Sequence, residues 1–357
     1  MRMPKRNPVL LVILDGYGVN PDPNHAANAI AIARPAYWNS LLAKYPHTQL
    51  EPGGARVGLP EGQFGNSEVG HLNLGAGRVV FQDITAIDHA IKTGSFFENP
   101  AFTEMIRALP ANKKLHLMGL VSDGGVHSSD RHYRALLELC KREGITGDRV
   151  CFHVITDGRD TAPESGVRFV RELMDAMDET GVGRIASISG RYWAMDRDTN
   201  WDRIAKYYNC VTLADGAIDS DAINLLELSY EAGTTDEFIE PTFMVEHGRG
   251  MGRVESGDGL IFFNFRADRA REICRALTED ASFDESCFKR KAKPSISLVT
   301  MTPYVRGLQA AAAFPPERPT MCLGETLSKA EIAQFRCAET EKYAHITYFF
   351  NGGEEQP

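Results

Sequence analysis

The sequence predicts an α/β protein with mainly parallel sheets. Three observations carry that prediction. Continuous apolar, β-rich runs recur at residues 9–14, 115–121, 150–155, 184–189, 260–265 and 296–301, the pattern of strands buried on both faces. Several of these runs lead through a polar loop into a helical pattern. The composition, 43% hydrophobic and 24% charged, is ordinary for a soluble globular chain.

A length of 357 residues suggests two domains. Residues 75–83 pass from a Gly-rich stretch to a new apolar pattern, and Phe314–Thr320 (FPPERPT) is Pro-rich and therefore extended. If both are hinges, residues 82–314 form a domain inserted into a first one made of 1–81 and 315–357. Lys plus Arg number 39 against 48 Asp plus Glu, a net charge of −9 that argues against a nucleic-acid surface spread over the protein. Seven cysteines without a C-x-x-C pair read as thiols in a reducing compartment. The run 9–14 is too short for a signal peptide or a membrane span, so the expected location is the cytoplasm.

Taken in order, the first strand, Val9–Leu14, delivers Asp15. A carboxylate there is either a metal ligand or a cap for the following turn, and from this residue alone the turn reading is favoured. Next, Gly65-Asn66-Ser67-Glu68-Val69-Gly70-His71 opens a helix-like stretch. Ser67 there would meet backbone N–H groups and a positive dipole end, as an alkoxide nucleophile would need; the plainer alternative is a helix cap.

The inserted region gives a collective signal, because ligands of open α/β sheets bind outside the carboxyl ends of the strands. Its strands are followed by Asp123-Gly124-Gly125-Val126-His127, by Asp157-Gly158-Arg159-Asp160, by Gly190-Arg191 with Arg197, and by Arg266 with Arg269. One such Arg alone is usually a solvated charge. Five of them at one sheet edge predict a ligand with several anionic oxygens. Asp160 would be a carboxylate available as a proton acceptor, and His127 a phosphate donor or general acid unless the backbone satisfies it. After Val150–Ile155, Thr161 stands three before Glu164 with Pro163 between, predicting a helix start, and Val167, Val170, Leu173, Met174 and Met177 trace its apolar face. His25, His47, His116, His132 and His247 read as surface or structural residues. Lys342 could reach a phosphoryl group or sit in solvent, and His345–Phe350 is strand-like.

The motifs LVILDGYG, GNSEVGHLNLGAGR, SDGGVHS, TDGRDTAP, SGRYWAMDRD, FNFRADRARE and AETEKYAHITYFFNGG together resemble the cofactor-independent phosphoglycerate mutase family of the alkaline phosphatase superfamily. The resemblance implies an alkaline-phosphatase-like domain carrying an inserted α/β transferase domain. It implies that Ser67 becomes phosphoserine and touches a metal that Asp15 also binds. It implies a substrate set of His127, Arg159, Asp160, Arg191, Arg197, Arg266, Arg269 and Lys342, with Asp160 as proton shuttle. The implied reaction interconverts 3-phosphoglycerate and 2-phosphoglycerate with two Mn²⁺ or other divalent ions, and charge and hydropathy add the expectation of a monomer without nucleic-acid or membrane partners.

The family also places an Asp-x-x-x-His motif, an Asp-His pair and a further His beyond the position of Lys342. This sequence ends at Pro357 and offers only His345, Glu354 and Glu355 there. The expectation is therefore an N-terminal portion of the enzyme, its phosphatase-like domain incomplete, its apolar strands short of neighbours and the chain inactive by itself. Another phosphomutase or phosphatase of the superfamily would prefer ribose 5-phosphate or a generic phosphomonoester. A non-catalytic fragment would bind phosphoglycerate without metal.

Overall fold

In the computed structural model the described residues are 8–355, apart from 21, 23–25, 247, 279–282, 285 and 317. His25 and His247 thus lie outside the described residues. The chain divides into two compact units, Phe81–Glu317 and Met1–Val80 with Arg318–Pro357.

Among the described residues the larger unit is built on a nine-stranded sheet. Its strands are β1 (Leu115–Leu120), β2 (Gly147–Thr156), β3 (Val182–Gly190), β4 (Ala217–Asp219), β5 (Thr242–Glu246), β6 (Arg249–Gly250), β7 (Gly259–Phe262), β8 (Ser297–Thr300) and β9 (Ala311–Ala312). The order is β4-β5-β3-β2-β1-β7-β8-β9, with β6 on β5. Only the β3–β5 and β5–β6 pairs are antiparallel. The fold class is therefore the α/β class that the apolar runs predict.

These segments are continuously apolar because both faces of the sheet are covered. Every residue of β1 is buried. Leu115 and Leu117 pack with Leu136, Leu137, Phe169 and Leu173, from helices Asp130–Arg142 and Gly166–Thr180. Met118 and Leu120 pack on the other face with Ile204, Tyr207 and Ile273, from helices Trp201–Leu213 and Arg271–Leu277. Each fully buried Leu contributes roughly 1.5–3 kcal/mol, so the two cores fix the register of the central strands.

Two local expectations fail here. The helix predicted from Thr161 starts at Gly166 instead. The Gly166 amide donates to Asp236 Oδ2 at 2.7 Å, so a carboxylate seventy residues away caps the helix. Met174 is exposed on that helix, and Phe169 takes its place in the core.

The smaller unit holds helices Ala29–Ala33, Ala36–Lys44, Ser67–Ala76, Leu323–Lys329 and Tyr343–Ile346, and no strand among its described residues. Val9–Leu14 forms no strand and no helix, and Val9 is 94% exposed. The reason is physical: a strand buried on both faces exists only where neighbours supply hydrogen bonds and cover. His345–Phe350 is not a strand either. It folds as the end of helix Tyr343–Ile346 and the start of a 3-10 turn, Phe349–Asn351. Gly75 explains why: a Cβ there would lie 2.0 Å from the Phe350 carbonyl oxygen, so the turn packs directly on the Ser67–Ala76 helix.

Candidate active site

In the larger unit β3, β2, β1 and β7 are adjacent and mutually parallel, so their carboxyl ends share one edge. That edge presents Arg191 after β3, Arg159 and Asp160 after β2, His127 after β1, and Arg266 and Arg269 after β7. The backbone ties two of these loops together, since the Phe265 amide donates to the His127 carbonyl at 2.8 Å.

Arg191 is the fixed point. It is buried, and its Nη1 donates to Asp160 Oδ2 at 2.6 Å and to Asp157 Oδ1 at 2.7 Å. Asp157, 2% exposed, also accepts from Ser122 Oγ at 2.8 Å and from the amides of Arg159 at 3.2 Å and Asp160 at 3.0 Å. Burial works to raise the Asp157 pKa. The Asp160 amide, Ser122 and Arg191 outweigh it and hold the carboxyl below its ordinary value.

Arg269 donates to the Met195 carbonyl at 3.1 Å. Burial, then the like charges of Arg191, Arg197 and Arg159, lower its pKa, the electrostatic mark of guanidinium groups brought together. Asp268 stands among them, 3.2 Å from Arg197 Nη1 and 3.1 Å from Arg266 Nε. His127 is buried, 3.8 Å from Asp160 and 3.6 Å from Asp268. Burial and then Arg191 hold its imidazole down to about 4, so it is neutral at pH 7. Its Nδ1 has no hydrogen-bond partner and faces Asp268 Oδ1 at 3.6 Å. Arg159, Arg197 and Arg266 remain about half exposed, as arms that an arriving anion can gather.

In the smaller unit, Ser67 is the first residue of its helix, and the cap is Asn66, whose side chain accepts from the Val69 amide. The Ser67 hydroxyl is thereby free. It donates to Asp15, and it accepts from Lys342 Nζ at 3.0 Å. Lys342 is also ion-paired with Asp15. The turn-cap reading of Asp15 is overturned: its carboxylate serves Ser67 and Lys342, and the turn closes through the Tyr17 amide and the Leu14 carbonyl. Hydrogen bonds from Lys342 and then Ser67 lower the Asp15 pKa to about 2. Gly65 is required beside this site, because a Cβ there would lie 1.6 Å from the Pro52 carbonyl oxygen.

Two Mn²⁺ ions do not fit these donors. Each would want four to six ligands, whereas Asp15 and Ser67 supply two groups and Asp15 already holds an ammonium. Among the described residues no three His, Cys, Asp or Glu side chains gather into a metal-binding group.

Reading for cations at strand ends overlooks Asp157 and Asp268. The signal that finds both is an acid directly beside the predicted arginines, in DGRD and RADR. His47 is exposed, while His116 and His132 are buried and structural, bound to Asp258 and Asp88. A cavity of about 440 Å³ opens at the opposite edge of the sheet, beside Lys113, Lys114, Phe243 and Asp258, and contains none of the predicted site residues.

The chain is similar to known proteins over nearly all of its length. The family described as "BPG-independent PGAM N-terminus" matches residues 87–306. A 2,3-bisphosphoglycerate-independent phosphoglycerate mutase of Clostridium perfringens is 50% identical over 354 residues, covering 99% of this chain and 68% of its own length. That of Moorella thermoacetica is 47% identical, covering 100% of this chain and 69% of its own length. A crystal structure of Leishmania mexicana phosphoglycerate mutase at low cobalt concentration matches with a TM-score of 0.66 and 32% identity, over 90% of this chain and 60% of that one. The chain thus spans about two thirds of the length of these relatives. It belongs to the family of 2,3-bisphosphoglycerate-independent phosphoglycerate mutases.

Proposed function

We propose that the arginine-lined edge of the larger unit is a phosphoglycerate site, and that the chain serves the interconversion of 3-phosphoglycerate and 2-phosphoglycerate. One observation carries this: Arg159, Arg191, Arg197, Arg266 and Arg269 lie at the carboxyl ends of adjacent parallel strands. Phosphoglycerate carries a phosphate and a carboxylate, both suited to bidentate guanidinium pairing. Arg191 and Arg269, already oriented, would fix the ligand, and the exposed Arg159, Arg197 and Arg266 would close on it. Neutral His127 has one N–H to donate, and it would gain a second by protonation once an anion offsets the arginines.

Ser67 is the proposed nucleophile. Its Oγ would form the new bond to phosphorus as the bond from phosphorus to the 3-oxygen breaks. After the glycerate turns over, the 2-oxygen would take the phosphoryl group back. Asp160 would carry the proton between those two oxygens. Lys342 would stabilise negative charge developing on Ser67 Oγ. Asp15, with its pKa near 2, is too weak a base to activate the hydroxyl alone. The described donors do not fit two ions, so the Ser67 proton would pass to solvent water, Lys342 would hold the resulting alkoxide, and the proton would return when the phosphoryl group leaves. We further place the chain in the cytoplasm as a monomer acting in glycolysis and gluconeogenesis. Its seven cysteines are all free, and no described helix is long and apolar enough to cross a membrane.

The test is ³¹P NMR of 3-phosphoglycerate incubated with the full chain and Mn²⁺, beside Ser67→Ala. No turnover by either chain agrees with the expectation that this chain is inactive by itself, whereas formation of 2-phosphoglycerate by the wild type and not by the variant assigns Ser67 as the nucleophile and refutes that inactivity. Equal formation by both removes Ser67 from the reaction, and turnover of generic phosphomonoesters in preference would favour a phosphatase.

A further inference from the structure

We propose that Asp196 and Glu272 are positioning residues that fix the 196–200 loop and, through it, the direction of Arg197. The inference rests on the reading above only for the ligand used to test it.

The loop has an unusual construction. Thr199 adopts φ 62°, the left-handed region that costs a β-branched residue free energy, so something must hold it there. Two buried carboxyl groups do so. Asp196, 3% exposed, accepts from the amides of Asp198 and Asn200 at 2.9 Å each, from Asn200 Nδ2 at 2.9 Å, and from Arg203 Nη1 at 3.1 Å. Glu272, 5% exposed on the helix that follows Arg269, accepts from the Thr199 amide at 2.9 Å. Arg197 therefore lies between residues anchored to these two acids.

Glu272 Oε2 is buried without a hydrogen-bond partner, beside the Asp196 carboxylate. A bare carboxylate oxygen there is costly, whereas a protonated one donates to Asp196. Burial, and next to it Asp196 and Asp198, push the Glu272 pKa up to about 7 against the pull of the Thr199 amide. The facing charges are Asp196 and Asp198 from the loop, with Arg203 Nη1 bound to Asp196 Oδ1. On its own helix Glu272 has Arg271 and Arg275 as charged neighbours. Above neutrality the pair becomes two adjacent anions without a proton to share, and their repulsion loosens the loop although the Thr199 amide still has its acceptor.

The experiment compares full-length wild type, Glu272→Gln and Glu272→Ala from pH 6 to 8. Calorimetry with 3-phosphoglycerate gives affinity, and amide hydrogen exchange gives the order of the loop, with β1 and β2 amides reporting that the fold is intact. Gln keeps a neutral donor and acceptor at every pH. If only the protonated form holds Arg197, the wild-type dissociation constant relative to that of Glu272→Gln rises about tenfold by pH 8. The Thr199 amide then exchanges faster in the wild type than in Glu272→Gln over the same range. Glu272→Ala shows weak binding and fast exchange throughout. A ratio of affinities and of exchange rates that stays flat with pH overturns the proposal. If the wild type shows no binding of 3-phosphoglycerate at all, the ligand assignment fails, and the exchange ratio alone decides the positioning role.

Discussion

Asp157→Asn tests the site at its structural hub. The wild-type carboxylate accepts from Arg191, Ser122 and two loop amides, almost entirely out of water. Asn keeps one acceptor oxygen and turns an NH₂ group toward Ser122 or Arg191, so a buried guanidinium loses one of two anionic partners. Removing the sole partner of a buried ion costs about 3–5 kcal/mol. Asp160 still pairs with Arg191 at 2.6 Å, which reduces the expected loss to roughly 2–3 kcal/mol. In a unit of this size that is about 5–10 °C in Tm. Denaturant unfolding at pH 7 measures the stability, and calorimetry with 3-phosphoglycerate measures the site, where at least a tenfold weakening is expected. Asp160→Asn is the contrast. Asp160 is less buried and does not organise the loop amides, so it should weaken binding or turnover at a smaller cost in stability. A stability change below about 0.5 kcal/mol in Asp157→Asn, the range of ordinary surface substitutions, would refute the reasoning.

Other predictions follow from the same geometry. His127 titrates near 4 in the free protein, so ¹⁵N NMR at pH 6 should find it neutral, and 3-phosphoglycerate should raise its pKa. The unfolded state binds the extra proton between about 6.5 and 4, so this residue makes the fold lose stability as pH falls through that window. Lys342→Met removes the first cause of the low Asp15 pKa, and ¹³C titration should show Asp15 rising from about 2 toward 3.8. Gly75→Ala drives a methyl into the Phe350 carbonyl, and limited proteolysis should find the segment 343–351 released.

The sequence made the larger unit legible because its strands are uniformly apolar and end in charged loops. The five arginines and His127 could be placed from strand ends alone. What it could not show was partnership between distant residues. The helix start near Thr161 obeys a local capping signal that loses to Asp236, since a buried tertiary carboxylate outcompetes an exposed local one. The strand expected at Val9–Leu14 needs neighbours that no local pattern reports. His345–Phe350, six residues of aromatic and β-branched character, is too short for periodicity to separate strand from helix, and the close approach of Gly75 decides it. Asp157 and Asp268 were hidden for another reason: unlike Asp160 they have no proton-transfer task to suggest them, and their part in aiming the arginines lies in contacts made only by the fold.

The most direct measurement is a calorimetric comparison of 3-phosphoglycerate with glycerol 3-phosphate on the full chain, wild type and Arg191→Ala. Arginines converging from adjacent strands should bind 3-phosphoglycerate tightly and glycerol 3-phosphate, which lacks the carboxylate, at least tenfold more weakly, and Arg191→Ala should lose most of both. Equal affinity for the two ligands, or binding indifferent to Arg191→Ala, would contradict a phosphoglycerate site at this edge of the sheet.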